Sequence, residues 1–174
     1  MLKSSLKYSW LLFILMFQNV LAQEDWKLEK DESGIKVYTK PVSTSNFKAF
    51  KSTMTIDESV QAFLSVLYDI DGITTWGYKL KDASLLKRSG DTLQIYYAEV
   101  KVPFPYGNRD GVYLNTFKWD TKTKTLHVEI KLLDNYMATK EGLVRITGKG
   151  YWKAQVLSSG KLEITFEMQV DPGG

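Results

Sequence analysis

The residues able to do chemistry in this 174-residue chain are few and scattered. His127 is the single histidine, and there is no cysteine. A metal site needs several nitrogen, oxygen or sulfur ligands converging on one point. The run Leu126-His127-Val128-Glu129 offers one His and one Glu on one strand face, so His127 reads as a surface residue. Lacking cysteine, the chain has no thiolate nucleophile, disulfide or zinc–thiolate site. No G-x-S-x-G nucleophile elbow is present, and Gly148 and Gly150 sit inside a strand pattern, where glycine marks a bend or a close approach rather than a phosphate loop. Arg109-Asp110 could bind an anion. As neighbours on a strand, however, the two point to opposite faces, and each reads as a partner in a structural ion pair or a turn hydrogen bond. Arg145 is open to two readings. On a concave sheet face it would be a buried charge able to hold a phosphate or carboxylate; on the other face it would be a solvated arginine.

The elements that must position these residues are mostly strands. Asp25–Asp31 is polar with two apolar anchors and reads as a short helix, followed by a Ser33-Gly34 turn. Ile35–Lys40 alternates and reads as a strand ended by Pro41, and Phe47–Thr55 as a second strand. Val60, Phe63, Leu64 and Leu67 fall at i, i+3, i+4 and i+7, which predicts a helix over Asp57–Tyr68 capped by Thr55 with Glu58, or by Asp57. Ile73–Tyr78, with Trp76, is a short irregular or helical piece. Strand patterns then recur over Ala83–Lys87, Thr92–Val102, Gly111–Trp119, Thr125–Leu132, Gly142–Val156 and Lys161–Val170, separated by turn signals. That spacing predicts an antiparallel sheet. Long strands twist and curve, giving a concave face that something must fill. Leu162, Ile164, Phe166, Met168 and Val170 alternate with Glu163, Thr165, Glu167 and Gln169, so this strand has a dry and a wet side. One helix of this length cannot cover such a sheet, and the pattern predicts apolar surface left open or covered by a ligand.

Composition bounds the class. Forty-four percent of residues are hydrophobic and 13% aromatic, enough for one folded domain and too much for disorder. Lys3 and Lys7 precede an apolar run, Trp10–Phe17, and Val20 and Ala22 stand at the −3 and −1 positions of a cleavage site. This reads as a secretory signal peptide over 1–22 and a single domain over 23–174, exported to the periplasm or the exterior. The alternative is an uncleaved anchor, against which the apolar run is short of the ~20 residues a span needs. Removing Lys3 and Lys7 takes the formal charge from +3 to +1, a poor balance for binding nucleic acid.

Several motifs, in order, resemble the START (StAR-related lipid-transfer) domain family. They are Trp26 ahead of Gly34-Ile35-Lys36-Val37-Tyr38; Asp69 and Asp71 with Trp76; Pro103-Phe104-Pro105 leading to Arg109-Asp110; Val144-Arg145 with Gly150-Tyr151-Trp152; and Asp171-Pro172-Gly173-Gly174. The resemblance implies an α+β helix-grip fold, a curved antiparallel sheet wrapped on a C-terminal helix with an apolar tunnel between them. It implies binding, and in many members transfer, of a lipid. In the family the segment matching Asp171–Gly174 leads into the gripping helix, which is missing from this sequence. An uncovered concave face would favour homodimerisation, lipid uptake or poor solubility. The acid–arginine pair that sterol-carrying members resemble one another in aligns here with Tyr97 and Asn115, which offer hydrogen bonds but no ion pair.

The expected lining is Trp76, Tyr97, Asn115, Phe117, Arg145, Tyr151 and Trp152, with a plain core role competing for each aromatic. The first reading is a non-enzymatic lipid-binding domain that contacts membranes transiently and needs no metal or cofactor. A cavity enzyme of the cyclase or aromatase type is the second, with Glu99 and Arg145 as the only candidate acid–base groups. The third is a structural module whose apolar face is covered by a second chain.

Overall fold

The computed structural model describes residues 26–173, so the signal peptide expected over 1–22 lies outside the described residues. Ten strands form one sheet: β1 (Lys27–Glu32), β2 (Ile35–Val42), β3 (Ser45–Ile56), β4 (Leu80–Ser89), β5 (Leu93–Val100), β6 (Arg109–Asp120), β7 (Thr125–Leu132), β8 (Val144–Arg145), β9 (Thr147–Val156) and β10 (Leu162–Asp171). Two short helices, α1 (Val60–Tyr68) and α2 (Ile73–Trp76), interrupt them. The spatial order is β1-β2-β3-β10-β9-β7-β6-β5-β4, antiparallel throughout, with β8 lying parallel beside β6. This is the curved antiparallel sheet the sequence predicts.

Four local expectations are corrected. The polar opening is not a helix but β1, an edge strand paired to β2 through a two-residue turn. Ser33 and Gly34 both have positive φ, 53° and 78°, the backbone that matches the twist of a tight hairpin; ladder pairing outweighs local helix propensity. Pro41 does not end β2; it sits at an irregularity between Lys40 and Val42, where no ladder donor is required. The cap of α1 is Ser59. Its extended backbone lets Oγ accept from Ala62 N at 3.1 Å. The run Gly142–Val156 also divides at Ile146, whose N–H donates to Asp110 O at 2.8 Å.

Helix α1 packs on one side of the sheet, here the inner face. Leu67 joins Phe117, Leu126, Val128, Ala154, Leu162 and Ile164 in the main core. Phe63 meets Trp152 edge-on at 5.6 Å, and Tyr68 meets Phe117 at 4.7 Å. The outer face of β7, β9 and β10 carries the alternate residues, among them exposed His127, Glu129 and Lys131. Over β5 and β6 the outer face is covered as well. The segment 133–143 crosses it, and Leu133 and Met137 pack on Ile95, Tyr97 and Val112.

Gly150 lets β9 and β10 approach closely. A Cβ there would lie 2.1 Å from Glu167 O and 2.3 Å from Met168 Sδ. Gly150→Ala is expected to destabilise the protein by about 1–3 kcal/mol through overpacking against backbone, read as a lower urea midpoint at unchanged slope.

Candidate functional site

The inner face is not filled. Between α1, α2 and the strands β5, β6, β7, β9 and β10 lies a hollow of about 130 Å³. Its walls come from cross-strand register. Tyr96 stands opposite Tyr113, and their rings stack at 4.8 Å; Trp152 stands opposite Phe166, stacked at 4.0 Å. Such pairs are the unit from which sheets gain side-chain stabilisation. Ile70 and Trp76 close the hollow from the helical side, and Asn115 reaches it from β6. Burial raises the hydroxyl of Tyr96 well above the usual phenol range and that of Tyr113 to about 12, so both remain protonated donors. Around the hollow the inner face stays partly open, with Ile35, Phe50 and Leu85 exposed.

Of the seven residues expected to line a site, Trp76, Asn115 and Trp152 border this hollow. Phe117 is on the same face but belongs to the core beneath Tyr68. The other three are corrected by the pleat, which turns alternate residues to opposite sides. Tyr97 pairs across with Val112 and lies under segment 133–143, with Lys140 Nζ 4.1 Å from its ring centre. It therefore faces away from Asn115, whose cross-strand partner is Gln94. Tyr151 points outward and donates to Glu167 Oε2 at 2.9 Å. Arg145 fits neither of its two readings: it is on the outer side, yet buried. Its Nε and Nη2 donate to Asp110 at 2.8 and 3.0 Å, and Nη1 donates to the carbonyls of Asp134 and Met137 at 3.2 Å each. The Asp110 side chain is fully inaccessible. The pair pins the covering segment to the sheet, and the Asp110 hydrogen bonds raise the Arg145 pKa further. Arg109, as expected, does not pair with Asp110; it donates to Pro172 O at 2.9 Å and to Gly107 O.

Glu99 also lies on the outer side, held by Lys81 at 2.8 Å and Asn108 at 2.9 Å, and aims no acid into the hollow. Sequence reasoning missed Tyr96, Tyr113 and Ile70. The Tyr96-Tyr97 dyad signalled that one tyrosine must face inward, but choosing between them needs the register. Two larger troughs, about 410 and 420 Å³, run over the outer face beside the β2–β3 turn. Lys131, Lys149, Glu129 and Glu167 line them, and they are open to water, which suits no apolar guest.

No family model matches the sequence. An uncharacterized protein of Pseudomonas aeruginosa is 33% identical over 158 residues, 90% of this chain and 76% of that protein. Human phosphatidylcholine transfer protein is 28% identical over 133 residues, 74% of this chain but 61% of its own length. The solved structure of a STAR-related lipid transfer protein fragment from Xanthomonas axonopodis superimposes with a TM-score of 0.79 at 31% identity, covering 86% of this chain and 83% of that one.

Two outcomes follow from the outer-side pairs. Asp110→Ala strands the Arg145 charge and is expected to cost about 3–5 kcal/mol, measured by chemical denaturation. Lys81, and then Asn108, hold the Glu99 carboxyl below its ordinary range. A carboxylate with a depressed folded-state pKa stabilises at neutral pH, and that stabilisation is lost as pH falls through the carboxylate range. Glu99→Gln is therefore expected to flatten the loss of thermal stability between about pH 5 and pH 3.

Proposed function

The chain belongs to the StAR-related lipid-transfer (START) domain family, and on that footing we propose that it binds one lipid against the inner face of its sheet without acting on it chemically. The observation that supports this most is the composition of the hollow: apolar and aromatic walls, a single buried amide, and open apolar residues on the same face around it. Hydrocarbon laid along such a surface gains roughly 25 cal/mol for each Å² taken from water. The two groups considered for acid–base catalysis, Glu99 and Arg145, are committed to Lys81 and Asp110 on the far side of the sheet, which favours binding over turnover.

Delivery requires meeting a membrane, and one end of the molecule suits it. Tyr78, Phe104 and Tyr106 are 83%, 96% and 67% exposed. Their segments are held together where Lys101 N donates to Lys79 O at 2.9 Å. Exposed aromatics beside lysines match the chemistry of a bilayer interface carrying anionic headgroups. Trp76, two residues before Tyr78, lines the hollow, so this end adjoins the guest's place. Export by the leader at 1–22 belongs to the same proposal: the protein would work at a membrane outside the cytosol.

Purified protein exposed to phospholipid vesicles and re-isolated is expected to yield stoichiometric lipid in an organic extract analysed by mass spectrometry. Lipid-free protein, or a ligand-free dimer in light scattering, would reject the reading. Phe104→Asp with Tyr106→Asp is expected to lower vesicle co-sedimentation several-fold while leaving the unfolding midpoint unchanged.

A further inference from the structure

The polar chemistry inside the hollow narrows what can enter it. Two amides face the inner side at the same cross-strand position, Gln94 on β5 and Asn115 on β6. Gln94 is fully used: Nε2 donates to Leu67 O at 2.9 Å, and Oε1 accepts from Arg88 Nη2 at 3.0 Å. Asn115 is 4% exposed, and its Oδ1 has no partner. A buried acceptor left unmet forfeits its hydration without compensation, and native proteins seldom keep one without a use.

Charge is excluded from the same space. No acidic or basic side chain among the described residues lines the hollow. The nearby guanidinium groups are engaged elsewhere, Arg88 on Tyr68 O and Gln94, Arg145 on Asp110. A phosphate, carboxylate or ammonium brought here would lose its water with no counter-charge, a far larger cost than an unmet amide. Size agrees: about 130 Å³ is close to the roughly 150 Å³ cavity that accepts a benzene-sized group, so it has room for a ring or a glycerol-sized end.

Resting on the lipid-binding reading above, we infer that the end of the lipid entering the hollow is an uncharged alcohol, and that Asn115 is its specificity-determining partner. A hydroxyl donates and accepts, so it satisfies the amide in either orientation of its oxygen and nitrogen. The remainder of the lipid lies along the open inner face past Phe166 and Phe50, whose rings meet edge-on at 5.5 Å.

The test uses three single-chain probes with the same oleoyl tail: 1-oleoylglycerol, 1-oleoyl-lysophosphatidic acid and methyl oleate. Binding is followed by the fluorescence of Trp76 and Trp152 at the hollow wall. The glycerol lipid is expected to bind about tenfold more tightly than either of the others. Asn115→Leu is expected to erase that preference, leave methyl oleate within about twofold, and raise the thermal midpoint of the lipid-free protein, because it removes the unmet amide. Equal or tighter binding of the lysophosphatidic acid would overturn the inference while leaving lipid binding intact. So would a preference that survives Asn115→Leu. Failure of all three probes to bind would overturn the lipid-binding reading itself. If Asn115→Leu does not fold, the probe comparison on the unsubstituted protein still decides whether the entering end is an uncharged alcohol, and Asn115→Asp, which keeps the shape and acceptor but adds a charge, tests the residue: unchanged preference overturns its role.

Discussion

A pleated strand cannot turn neighbouring residues to the same side, and this one restriction organises the molecule. On β6 the inner row is Tyr113, Asn115 and Phe117; the outer row is Asp110, Val112 and Leu114. Because α1 and α2 require an apolar inner row to pack on, polarity and charge collect on the outer row. Over most of the sheet that row is wet and needs no compensation. Over β5 and β6 the crossing segment 133–143 buries it too, and strands dry on both sides must satisfy their polar side chains internally. The buried Asp110–Arg145 pair, with its two bonds to the crossing segment's carbonyls, answers that need. The neutrality of the hollow and the ion pair behind it are two results of the same alternation.

Much of this is legible in the residues. The alternation Leu162, Ile164, Phe166, Met168, Val170 names the dry side of β10 without help, and the i, i+3, i+4, i+7 set names α1. The pattern failed where tertiary pairing decides. Lys27–Glu32 has no strand-like composition and becomes a strand because β2 offers it a ladder through the Ser33-Gly34 turn. In β5, where six consecutive residues from Gln94 to Glu99 are buried, alternation carries no inside–outside contrast, and the residues alone do not say which of Tyr96 and Tyr97 faces inward. Arg145 illustrates the same limit. Burial of a charge is set by what crosses over it, and segment 133–143 carries no periodic signal to announce that it would cross.

The two inner-face amides show how one side-chain chemistry serves structure and site differently. Gln94, one methylene longer, reaches the buried carbonyl of Leu67 in the last turn of α1 and so ties helix to sheet. Asn115 is shorter and stands on β6, nearer the sheet's centre, and its Oδ1 meets no partner. The difference of a single carbon separates a strut from an amide oxygen with no partner.

The strand order has a kinetic corollary. The β1–β3 meander joins the remainder of the sheet only through β10, whose Leu162–Met168 stretch pairs with Phe50–Ile56 more than a hundred positions earlier. A growing polypeptide must therefore hold its first three strands waiting, with one ladder edge unsatisfied, until the tenth is supplied. Non-local closure of this kind slows folding and lengthens the window in which an unpaired edge can meet another chain.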